Sequence, residues 1–288
     1  MKIYGDRDNL PAFTRPAVTV GSFDGVHAAH RMLLDALRRE AAGRDGESVV
    51  VTFWPHPRFV LEGEACPMRL LNTFSEKLLL LRQEGIDNVV VVPFTRQFSL
   101  TPPAEFEKWL REGLGAEALI AGYNHHFGHN QDGRAANLAK DPEAQGMEVR
   151  VVGRMELNGA KVSSSAIREM IARGDISGAA RMLGYPYFII GRTVGTRSPQ
   201  VGEGLRIEPE DPRKLLPPQG EYGVTFTPCD PERISADGIC NPDGGRQATL
   251  RITADGEALL LAADRASDTG IPSEIPQNIL ISFSSTTD

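Results

Sequence analysis

The chain has 288 residues, is 41% hydrophobic and carries a formal net charge of −7. That is enough apolar material for one large domain or two ordinary ones with proper cores. The acidic balance argues against non-specific binding to nucleic acid or to acidic membranes. Three scattered cysteines, Cys66, Cys229 and Cys240, make neither a disulfide framework nor a zinc set, which favours a reducing, cytoplasmic setting. The opening Met1–Asp8 lacks an apolar signal core, and no run approaches the roughly 20 apolar residues that span a bilayer. All six histidines (His27, His30, His56, His125, His126, His129) lie in the first half, so histidine chemistry belongs there.

Up to about residue 185 the pattern alternates. Strands are predicted at Ala17–Gly21, Ser48–Phe53, Asn88–Pro93, Ala118–Ala121 and Glu148–Val152. Between them, helices are predicted at His27–Ala42, Ser75–Glu84, Ala104–Leu114 and Gly133–Lys140. Runs such as Val89-Val90-Val91-Val92 suit strands buried on both faces, so the expected fold is α/β with a Rossmann-like parallel sheet. Two more helices are expected at Ser164–Arg173 and Ile176–Leu183, separated by Gly174-Asp175. After Tyr185-Pro186 glycine and proline become dense and the apolar runs shorten, as in a small antiparallel β-barrel. The expected division is therefore 1–185 and 186–288.

Four segments could carry chemistry. Gly21-Ser22-Phe23-Asp24-Gly25-Val26-His27-Ala28-Ala29-His30 follows the first predicted strand. It reads as a tight turn into a helix, with His27 and His30 on one face at i and i+3. Helix starts favour anions, so two imidazoles there suit a polyphosphate. Val162-Ser163-Ser164-Ser165-Ala166-Ile167-Arg168 reads as a serine-capped helix start whose guanidinium joins hydroxyls and amides at a second anion site. Phe53-Trp54-Pro55-His56-Pro57 follows the second predicted strand, where a stiff aromatic loop can meet a ring. Gly122–Gly133, with His125, His126 and His129, marks the same sheet edge and reads as a polar loop contacting nucleotide more readily than a zinc site. There is no Walker loop, no Gly-x-Gly-x-x-Gly after a strand, no Gly-x-Ser-x-Gly elbow and no Cys/His nucleophile pair.

Together these segments resemble the FAD synthetase module of bacterial bifunctional riboflavin kinase/FAD synthetases, within the HxGH nucleotidyltransferase superfamily. The resemblance covers about residues 15–185 and implies an FMN adenylyltransferase that joins FMN and MgATP to give FAD and pyrophosphate. It implies catalytic roles for His27, His30 and Arg168. Nucleotide contacts would come from Gly21, Ser22, Phe23, Asp24, Gly25, Asn124, Ser163, Ser164 and Ser165. Flavin contacts would come from Phe53, Pro55, His56 and Pro57, and Mg²⁺ would ride on the ATP phosphates near Asn124. The expected partners are ATP and FMN, with no nucleic acid and no membrane. Ala29 stands where the family has glycine. The C-terminal part resembles the kinase barrel, but Gly204-Leu205-Arg206-Ile207-Glu208-Pro209 replaces its Pro-Thr-Ala-Asn motif, so a degenerate barrel without riboflavin kinase activity is expected. Two alternatives stay open: a catalytically silent flavin- or nucleotide-binding protein, and a nucleotidyltransferase with another phosphorylated acceptor.

Overall fold

A computed structural model describes residues 1–123, 126–127, 133–134, 147–157, 159–194, 197–198, 202–229, 245–262 and 277–284. The chain divides into two compact units, Met1–Met68 with Leu81–Lys161, and Arg69–Leu80 with Val162–Asp288.

The first unit is built on a six-stranded sheet. Its strands are β1 (Lys2–Tyr4), β2 (Ala17–Val20), β3 (Ser48–Trp54), β4 (Asn88–Pro93), β5 (Ala118–Gly122) and β6 (Glu148–Val152). The spatial order is β1-β4-β3-β2-β5-β6, and every pairing is parallel. The valine runs are buried as a two-sided sheet requires: Val49–Val51 and Val89–Val92 lie in the core. Val18, Val51, Val90 and Leu119 share one cluster with Phe106, Leu110 and Leu114. The chain moves outward through β2, β3 and β4, then crosses back to place β5 on the other side of β2. Strand order therefore reverses between β2 and β5, and ligands of open α/β sheets bind beyond the carboxyl ends of strands at such a switch point.

The second unit carries a closed antiparallel barrel. Its strands are β7 (Phe188–Thr193), β8 (Leu205–Pro209), β9 (Gly220–Pro228), β10 (Arg246–Ile252), β11 (Ala258–Ala262) and β12 (Asn278–Phe283). They close in the order β7-β8-β11-β10-β9-β12. Leu205, Ile207, Leu250, Leu260 and Ile281 are buried. Closure removes the exposed edges that a short-stranded open sheet would leave. Helices Ser164–Ala172 and Ile176–Leu183 and the segment Arg69–Leu80 belong to this unit.

Three local expectations are corrected. Gly133 and Arg134 pair as a two-residue strand with His126 and Phe127, so the helix expected at Gly133–Lys140 does not begin there; residues 135–140 lie outside the described residues. Two short antiparallel pieces leave no periodicity to distinguish them from a helix start. The helix expected over Ala104–Leu114 is α-helical only at Pro103–Lys108 and widens to a π-turn at Trp109–Gly113. There Leu114 N–H reaches back to the Trp109 carbonyl at 3.1 Å, and a Cβ on Gly113 would lie 2.8 Å from the Trp109 ring. Strand β1 was not expected, because three residues are too short to show alternation.

In the loop between β8 and β9, Asp211 accepts three hydrogen bonds from Arg213: one from its backbone N–H at 2.8 Å, and two from its guanidinium at 2.9 and 2.6 Å. Burial works against the charged form, yet these bonds hold the Asp211 carboxyl below its usual range. A depressed folded-state value stabilises the fold above the unfolded value, near 3.8, and that contribution is lost as pH falls through the folded value. Asp211→Asn is therefore expected to flatten the acid limb of the stability–pH profile, measured by denaturant unfolding from pH 5 downward. An unchanged acid limb would rule the contribution out.

Candidate active site

The segment after β2 is a strained turn. Phe23, Gly25 and Val26 have φ of 48°, 92° and 33°. A positive φ is ordinary for Gly25 but costly for a β-branched residue such as Val26, and strain of this kind gathers at functional sites. Phe23, Asp24 and Val26 are buried, and a Cβ on Gly21 would lie 3.1 Å from the Phe23 ring. The turn delivers the chain to helix α1 (Ala28–Gly43).

The helix starts one residue later than expected, and His27 is its N-cap. His27 Nδ1 accepts the His30 backbone N–H at 3.3 Å. A nitrogen that accepts carries no proton, so in the neutral ring the proton is on Nε2, which becomes a donor. The two imidazoles stack, with centroids 3.7 Å apart and planes at 11°. The Phe23 ring packs against His30 at 5.2 Å. No acidic side chain sits in the first turn. By the geometry of any helix start, the Ala28 and Ala29 amides point outward without intrahelical acceptors. The result is a donor-rich helix start beside the switch point, suited to phosphate oxygens.

The loop after β3 is stiffened by local contacts. Phe53 joins an aromatic cluster with Phe94 at 5.5 Å and Phe98 at 5.8 Å. The Trp54-Pro55 peptide is cis. His56 Nδ1 accepts the Arg58 N–H at 3.2 Å, so His56 caps the short helix Pro57–Glu62, with Pro57 at its first position. Asn124 and the neighbouring His125 and His129 lie outside the described residues.

The serine segment lies in the second unit. Ser163 is the N-cap of helix Ser164–Ala172, its hydroxyl accepting the Ala166 N–H at 3.3 Å. Arg168 Nε donates to the Arg69 carbonyl at 2.8 Å. Sequence reasoning passed over Arg69 and everything around it. Its partners are about 100 to 140 residues away in the chain, and no local pattern reports such pairings.

Comparison with known proteins identifies relatives of this chain. A family model for FAD synthetase matches residues 11–166. A bifunctional riboflavin kinase/FMN adenylyltransferase of Listeria monocytogenes is 31% identical over 214 residues, 73% of this chain and 67% of that protein. The protein of that name in Pseudomonas fluorescens is 35% identical over 61% of this chain and 56% of its own. The one in Escherichia coli strain K12 is 31% identical over 72% and 66%. The matched stretch thus spans 56–67% of these relatives. A solved structure of a macrolide-efflux protein from Streptococcus pneumoniae superposes with a TM-score of 0.76 at 22% identity, over 98% of this chain and 88% of that one, and so shares the fold.

Proposed function

This chain belongs to the FAD synthetase family, and on that footing we propose that it is an FMN adenylyltransferase that has lost riboflavin kinase activity. A phosphate oxygen of FMN attacks the α-phosphorus of ATP. The new P–O bond forms, the bond between the α-phosphorus and the β-bridging oxygen breaks, and pyrophosphate leaves with FAD as the other product. The attacking oxygen is already anionic, so no general base is needed. The protein must align two anions and neutralise the charge that builds up.

The observation that carries the reading is the stacked pair His27 and His30 at a helix start beside the switch point. In the proposal His27 Nε2–H and His30 donate to the triphosphate, with the α1 amides and Gly21–Gly25 around it. On the family resemblance, Ser164 and Arg168 hold β- and γ-phosphates, with Ser163 and Ser165 beside them. Phe53, Pro55, His56 and Pro57 lie towards the flavin. Among the described residues no three His, Cys, Asp or Glu side chains gather as metal ligands. In the proposal magnesium arrives on the ATP phosphate oxygens and water. When bound, the ion would offset charge on the polyphosphate.

Loss of kinase activity is read from β8. Where the resemblance calls for hydroxyl and amide ligands, the chain has Leu205 and Ile207, both buried in the barrel. Between them, Arg206 joins a surface ladder with Glu208 at 3.1 Å and Glu257 at 3.5 Å, and Glu208 also meets Arg192 at 3.4 Å. No helix of the described residues is long and apolar enough to cross a membrane. The acidic chain fits a cytoplasmic enzyme working on small molecules without nucleic acid or membrane.

The test supplies MgATP with FMN and, separately, with riboflavin. FAD from FMN and no FMN from riboflavin is the expected result. No FAD above a His27→Ala/His30→Ala control rejects the transferase reading. FMN binding without turnover then favours a silent flavin-binding protein, and adenylation of a different phosphorylated acceptor favours a related transferase. FMN formed from riboflavin rejects the loss of kinase activity.

A further inference from the structure

The second unit contains a chain of contacts that runs from the barrel to Arg168. In the loop joining β8 to β9, the Arg213 carbonyl accepts the Leu70 N–H at 2.8 Å, and the Leu215 N–H donates to the Leu70 carbonyl at 2.8 Å. Leu70 is thereby clamped on both sides of Lys214, as an added strand would be. Lys214 is fully buried. Its ammonium donates to the Leu71 carbonyl and to Glu76 Oε2, each at 2.6 Å, beneath the Tyr187 ring at 4.5 Å. The other oxygen of Glu76 accepts the Ile190 N–H of β7 at 2.7 Å. Next to this clamp, the Arg69 carbonyl receives Arg168 Nε.

We propose that the barrel is retained as a positioning scaffold. The buried Lys214–Glu76 pair fixes Arg69–Leu71, and the Arg69 carbonyl in turn sets the guanidinium of Arg168. The physical reason is the difference between a free and a held arginine. An exposed arginine samples many rotamers, and ordering it on the phosphates costs entropy at each turnover. One hydrogen bond to a carbonyl removes much of that freedom, but only if the carbonyl is itself immobile. Two backbone hydrogen bonds and a desolvated ion pair make it so. This explains a barrel kept in well-packed, closed form although its strand β8 carries no kinase ligands. The inference rests on the proposed role of Arg168 in adenylyl transfer, while its structural half stands apart from that role.

The test uses the full chain. Lys214→Met alone leaves Glu76 charged and unpaired in the interior, so Glu76→Gln/Lys214→Met, which removes both charges at similar volume, is the fold-preserving version. Two readouts apply. Hydrogen exchange is expected to accelerate in the pair variant at residues 69–72 and 163–168, while β9, β10 and β12 stay protected. Turnover in FAD formation is expected to fall roughly tenfold in the pair variant, as a misplaced catalytic group would cause, and roughly a hundredfold in Arg168→Ala. With both changes combined, it should stay within about twofold of Arg168→Ala alone, because coupled residues do not add. Unchanged exchange around residues 69–72 and 163–168 overturns the proposal. So do losses that multiply, since a merely structural role would lower activity whether or not Arg168 is present. If the wild-type chain makes no FAD, the transferase reading fails, and the exchange result alone decides the scaffold.

Discussion

Replacing His30 with alanine is expected to lower turnover in FAD formation by about 10²–10³-fold, the cost of removing one preorganised donor from a developing anionic centre. The ring is held in place by the structure, stacked on His27 at 3.7 Å and packed on Phe23. Little reorganisation is therefore left for the reaction itself. His27 serves two purposes that substitution can separate. As the N-cap it accepts the His30 amide, and as a donor it offers Nε2–H. Asparagine caps helices well, so His27→Asn should hold stability within a few tenths of a kcal/mol while turnover falls by about the same factor as for His30. His27→Ala should lose both, with about 1 kcal/mol less stability. The comparison needs only thermal or denaturant unfolding beside the FAD assay. Full activity in His27→Asn would reduce His27 to a cap.

The second large effect is on stability. Lys214→Met should destabilise the protein by about 3–5 kcal/mol at neutral pH, because it strands a buried carboxylate. Lys214 and Glu76 are both fully buried. Burial holds the Glu76 carboxyl above its usual range even with Lys214 beside it, and removing the lysine pushes it further in that direction. For a carboxyl raised in the folded state, stability falls as pH rises from the unfolded value towards the folded one. The variant should therefore regain stability as pH is lowered towards the ordinary value near 4.5. Glu76→Gln/Lys214→Met should recover most of the loss and lose that pH dependence. Urea unfolding at pH 5 and pH 8 checks both. A Lys214→Met protein as stable as the wild type at pH 8 would show that the pair contributes little.

Much of the architecture was legible because it repeats. Wholly apolar four-residue runs can only be two-sided strands or helix fragments, and their length and the capped amphipathic stretches between them favoured a parallel sheet. The short apolar runs after Tyr185 likewise pointed to a small antiparallel barrel, and a closed six-stranded one is present. Elements without repetition were missed or misread. These were the three residues of β1, the hairpin pieces at His126–Phe127 and Gly133–Arg134, and the π-turn that Trp109 and Gly113 impose. The site followed the same rule. His27 and His30 could be paired from their spacing alone, since one turn of helix brings i and i+3 together. The capping role of His56 Nδ1, which accepts the Arg58 N–H, was not read from sequence.

What the amino-acid order determined by itself is therefore local: strands, helix starts and the shared helix face of His27 and His30. These depend on neighbours within a turn or two, where residue type and spacing set the geometry directly. The tertiary structure alone decided the switch point between β2 and β5, the grouping of Arg69–Leu80 with the barrel, and the pairing of Lys214 with Glu76 across 138 residues. Such contacts form because desolvated charges and backbone groups must find partners somewhere in the folded interior. Nothing in the local chemistry of either residue says where that partner will be.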